Sequence, residues 1–149
     1  MMDSGKRRKL CAVLIAANLA FIWGNSMVTG TDSGNLSGGV LAWLNGFLGL
    51  DESGAEVLHL LIRKAAHFSE FACLGLLLAG YCCLCGEKHA MAFPVLLGMA
   101  AAVVDESIQM FTPDRGPSLT DVWIDVSGVL AGTLLLYLGQ QITKKKQIV

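Results

Sequence analysis

Four apolar stretches, Leu10 to Val28, Ala65 to Cys85, Ala90 to Phe111 and Val122 to Ile142, each reach the roughly twenty residues that a helix needs to cross the hydrocarbon core of a bilayer. The expected fold is all-α: a polytopic membrane bundle of four transmembrane helices, one domain over residues 1–149. Charged residues form only 15% of the chain and cluster between the apolar runs, whereas a soluble bundle would spread them along amphipathic helices. With 54% hydrophobic residues, a soluble domain of this length would be left with apolar surface in water. The bilayer is therefore the first partner.

Between the first two spans, residues 36–50 are apolar but too short to cross, and are studded with Gly38, Gly39, Gly46 and Gly49. An interfacial or re-entrant helix is expected there. Ser53 and Glu56 stand in the capping-box spacing, which predicts a second helix that starts outside the membrane. Pro94 falls near the start of the third span, where a missing amide hydrogen costs least, and Pro113 and Pro117 bracket a turn joining the last two spans.

The basic flanks Lys6 to Lys9, Lys88 and Lys144 to Lys146 predict that both termini are cytoplasmic in a multi-pass protein of the cell membrane. No convincing small-x-small cleavage site follows Trp23, so the first run is expected to be a retained span. A net charge of -1 offers no general attraction for nucleic acid. The five cysteines, Cys11, Cys73, Cys82, Cys83 and Cys85, lie in apolar runs or at the expected cytoplasmic end, so no disulfide framework is implied.

The chemistry of the chain lies in ionisable residues placed inside the spans. His59, Arg63, His67 and Glu70 recur at spacings of four, four and three, which confines them to one helical stripe. Asp105, Glu106 and Gln109 share a flank near the end of the third span, and Asp121 and Asp125 share a stripe with Gly128 and Gly132 on the fourth. Counted from the outer ends of their spans, Glu70, Asp105 and Asp125 lie about 6 to 9 Å deep at 1.5 Å per residue. A carboxylate in hydrocarbon costs on the order of 2.5 to 3.5 kcal/mol, so groups at this level need partners or water. The counterions on offer are Arg63, Lys64, His67 and Arg115, fewer than the acids, and this leaves room for another cation.

Read together, RKAAHFSEF from Arg63, DESIQMFTPDR from Asp105, and Ser118, Leu119 and Asp121 leading to GVLAG resemble the VanZ-like family over Ile62 to Leu134. The first helix matches only loosely. The resemblance implies a small bacterial protein of the cell envelope, in a family named for a member associated with teicoplanin, and so glycopeptide, resistance. One position departs: Asp125 stands where the family usually has asparagine.

Several readings follow. In the first, the level is a cup open to the outer leaflet in which Arg63, Lys64 and Arg115 hold an anionic lipid or lipid-linked cell-wall intermediate. Asp105, Glu106, Gln109, Asp121 and Asp125 complete that cup, with His67 and Glu70 as the acid and base if the ligand is turned over. In the second, the same residues form an ionic network that only fixes helix register, as in a non-enzymatic accessory or scaffold protein. A proton-coupled carrier is the third, weakened because no acid reaches the opposite face. A metal site from His67, Glu70, Asp105 and Asp121 would suit zinc or manganese, though no HExxH motif occurs. Cys82, Cys83, Cys85 and His89 read as ordinary residues before they read as a soft-metal site, because adjacent helical cysteines cannot face one point. Asn18 is expected to bond between helices, and Trp23, Trp43 and Trp123 to anchor at the interface. The residues name no cofactor, and the small-residue stripe serves packing within or between chains, which leaves the oligomeric state open.

Overall fold

The computed structural model describes residues 3–86 and 91–146. Its five helices are α1 (Ser4–Ser26), α2 (Gly30–Leu48), α3 (Glu52–Cys85), α4 (Ala92–Gln109) and α5 (Leu119–Lys146). Four of them, all but α2, are long and apolar enough to span a membrane. No strand occurs among the described residues.

The spans agree with the apolar runs, but their neighbours extend further. The segment expected at 36–50 is a 19-residue helix that begins at Gly30. Thr29 starts it by accepting a hydrogen bond from the Asp32 amide at 3.2 Å. The second span belongs to a helix of 34 residues, about 51 Å long at 1.5 Å per residue. Its start differs from the capping box of Ser53 and Glu56. Asp51 is the N-cap, its carboxylate accepting from the Gly54 amide at 2.9 Å and from the Ser53 hydroxyl at 3.1 Å. A carboxylate two residues earlier outcompetes the serine for the free amides. Pro94 lies in the first turn of α4, as its missing donor requires.

α3 packs against each of the other four helices, most extensively against α5. Glycine makes that contact possible. A β-carbon on Gly128 would run into the Phe68 carbonyl, and one on Gly132 into the Ala72 carbonyl. The crossing therefore brings backbone onto backbone, the close approach that small residues permit in lipid. The core is a slender seam of Ile22, Phe71, Leu74, Leu78, Ala102 and Val129. Larger apolar groups such as Leu96, Phe111 and Leu135 stay mostly exposed, which suits a lipid solvent and no other.

The Arg8 guanidinium donates to the Leu84 carbonyl at 3.0 Å, and the Cys83 thiol meets Gln140 at 3.7 Å. The start of α1, the end of α3 and the end of α5 thus share one end of the bundle. Lys88 and His89 lie outside the described residues. Cys82 is buried whereas Cys83 and Cys85 are exposed, so these neighbours do face apart. Trp43 and Trp123 are exposed, as anchors would be, but Trp23 is half-buried and its indole donates to the Ala101 carbonyl at 3.4 Å. Asn18 departs from expectation too, its side-chain oxygen being buried without a hydrogen-bond partner.

The crossing yields a test. Gly132→Ala forces α3 and α5 apart and should destabilise the detergent-purified protein by about 1 to 3 kcal/mol, the usual cost of overpacking. Gly139→Ala, where an added β-carbon meets nothing within 4 Å, should leave the melting temperature unchanged.

Candidate functional site

The polar residues of the spans meet at the end of the bundle opposite the α3 to α4 connection. From Cys85 back to His67, α3 rises about 27 Å at 1.5 Å per residue, nearly the roughly 30 Å of a hydrocarbon core. A hydrocarbon core that begins at Cys85 would therefore end near His67, with the preceding residues of α3 beyond it.

Asp105 and Asp125 are both fully buried. His67, one helix over on α3, places Nδ1 at 4.0 Å from Asp105 Oδ2 and 3.7 Å from Asp125 Oδ1. The close α3 and α5 crossing one turn away makes this possible. The two carboxylates are treated differently. Asp105 accepts from the Ser26 hydroxyl at 2.6 Å and from the Gln109 amide at 3.0 Å. Among the described residues, neither oxygen of Asp125 has a hydrogen-bond partner, nor does His67 Nδ1. One ligand atom from each of His67, Asp105 and Asp125 lies within 4.8 Å of the others, a grouping that could hold a metal ion. The set expected from sequence, which included Glu70 and Asp121, is not assembled. Glu70 accepts from the Asn25 amide at 3.0 Å, and Asp121 pairs with Lys64 at 2.7 Å.

Beside this centre, Asn25, Ser37, Arg63, His67, Glu70 and Arg115 line a cavity of about 240 Å³. Arg63 and Arg115 face it together. Burial pushes the Arg115 guanidinium below its ordinary value, and the like charge of Arg63 pushes it further, against the pull of Asp105, Glu106 and Glu70. Its Nε is buried without a partner. Lys64 does not line this cavity. Adjacent residues on a helix diverge by about 100°, and Lys64 borders a second recess of about 130 Å³ with Gln109 and Asp121, which Arg63 and His67 line as well. His59, from the same stripe as Arg63, reaches the Ser37 hydroxyl at 2.6 Å and so joins α3 to α2.

The α4 to α5 turn is tied down on both sides. Glu106 accepts from the Ser118 amide at 2.7 Å, and the Ser118 hydroxyl accepts from the Asp121 amide at 3.3 Å. Asp114 adopts a left-handed φ of 58°, and the neighbouring Pro113 carbonyl accepts from the Gly30 amide at 3.1 Å. Arg115 is thereby carried over the cavity. Asn25, Ser26 and Ser37 belong to the site although the sequence reading passed over them, as does Thr112, whose hydroxyl donates to the Ser26 carbonyl at 2.8 Å. The signal was there for two: Asn25 and Ser26 end the first apolar run at the depth of the other polar groups.

A bundle of apolar helices with a polar centre at one end defines a small multi-pass membrane protein. The VanZ/LLP1 family profile matches residues 11–140, and the chain belongs to that family. No curated protein and no solved structure matches it.

Ser26→Ala removes a donor from a buried carboxylate and should cost about 1 to 3 kcal/mol. Lys64→Ala breaks a pair whose side chains are 42% and 31% exposed and should cost less than about 1 kcal/mol. Thermal melts of both variants in one detergent check the order.

Proposed function

We propose that this chain is a cell-envelope protein whose polar cavity faces the extracytoplasmic side and holds the phosphate of a lipid or lipid-linked cell-wall intermediate. On this reading it contributes to envelope homeostasis or to glycopeptide (teicoplanin) resistance. The observation that carries the proposal is that Arg63 and Arg115 line the same cavity. Two guanidinium groups offer fork-shaped donors that match phosphate oxygens, and a bound anion relieves their mutual repulsion. Orientation follows from Lys6 to Lys9, which begin α1 at the far end of the bundle and favour the cytoplasm. If the ligand is turned over, His67 or Glu70 supplies the acid or base, with the arginines stabilising developing negative charge.

A second reading, a scaffold whose polar network only fixes packing, is favoured by the bonds from Ser26 and Gln109 to Asp105. The two separate in nanodiscs that contain a polyprenyl phosphate in phosphatidylcholine. Arg115→Ala should lower retention of the phosphate lipid about tenfold, the worth of one charge-assisted contact, while melting within a few degrees of wild type. Equal retention together with a collapsed melting temperature supports the scaffold.

A further inference from the structure

We propose that His67, Asp105 and Asp125 form a binding site for one divalent transition-metal ion, zinc or manganese in preference to magnesium or calcium. Three helices supply the ligands: His67 from α3, Asp105 from α4 and Asp125 from α5.

The case begins with Asp125. It is fully buried, and both carboxylate oxygens lack any hydrogen-bond donor. Buried carboxylates are ordinarily paired, hydrogen-bonded or metal-bound. The nearby polar atom is His67 Nδ1 at 3.7 Å, too far for a hydrogen bond and itself without a partner. An ion between them answers both deficits at once.

The geometry agrees. Two ligand atoms sharing a tetrahedral ion at about 2.1 Å stand roughly 3.4 Å apart. The distances of 3.7 and 4.0 Å from His67 Nδ1 close to that spacing by small side-chain rotations. Asp105 is already aimed. Ser26 holds one oxygen and Gln109 the other, the kind of outer hydrogen bonding that orients ligand carboxylates. One imidazole with two carboxylates suits zinc or manganese, whereas magnesium and calcium prefer oxygen alone. The charges also balance, since two carboxylates offset one dication. Three protein ligands leave a coordination position free, and His67 also lines the arginine cavity, so that position lies beside the space for an anion.

The site is independent of the lipid reading, because metal binding by the ligand-free protein tests it alone. The full chain, purified without a polyhistidine tag, is stripped with chelator, incubated with zinc or manganese chloride, desalted and assayed by elemental analysis. Wild type should retain about one equivalent per chain. Asp125→Asn keeps the size of the side chain and should weaken binding at least about tenfold, and Ser26→Ala by about tenfold through the loss of orientation. Cobalt should give a visible ligand-field spectrum in wild type that is lost in His67→Gln. Should His67→Gln fail to fold, Asp125→Asn carries the comparison. Failure of wild type to retain either metal, or equal retention by Asp125→Asn, overturns the site. A rise in the melting temperature of metal-free Asp125→Asn with no metal bound to wild type would overturn the site and identify Asp125 as an uncompensated buried carboxyl instead.

Discussion

The close approach of α3 and α5 governs the rest of the molecule. With Gly128 and Gly132 against the Phe68 and Ala72 carbonyls, the two backbones lie as near as helices can. Side chains one turn away are then forced to meet. Asp125, about one turn before Gly128, is thereby brought to 3.7 Å from His67. In water such a contact would draw on the hydrophobic effect. In lipid it rests on fit and on polar contacts, so the glycine stripe and the buried polar groups are two parts of one solution.

Each polar side chain at that level is then disposed of according to what is in reach. Glu70 takes Asn25, Asp105 takes Ser26 and Gln109, Glu106 takes the Ser118 amide, and Asp121 takes Lys64. All four of these arrangements fasten one helix to another or to the turn that carries Arg115. Asp125 stands apart. The polar network thus assembles the end of the bundle and, among the described residues, leaves both oxygens of Asp125 without a hydrogen bond, beside the cavity that Arg63 and Arg115 line.

Much of this was legible in the sequence, because membrane cost is written one residue at a time. Long apolar runs show where lipid lies, and ionisable residues inside them show where lipid cannot. Partners were harder to read. A helical stripe states a direction and not a neighbour, so Lys64 was grouped with Arg63 and Arg115 in one cup, although only the two arginines line the cavity beside Glu70 and Lys64 borders a second recess, which it shares with Arg63. Glu70 was assigned to the acidic centre because its competitor, Asn25, sits on the helix whose pattern was least distinctive. The start of α3 was misplaced for a local reason: Asp51 and Ser53 both suit a cap, and only the chain's path decides between them.

The unequal treatment of the two central aspartates has a mechanical meaning. Asp105 is a fixed jaw, since turning it would release the bonds from both Ser26 and Gln109. Asp125 is a sliding one, with no hydrogen bond to lose as its side chain rotates. The gap at His67 can therefore change width while the α4 side keeps its place, and the centre can adjust its grip without moving a helix.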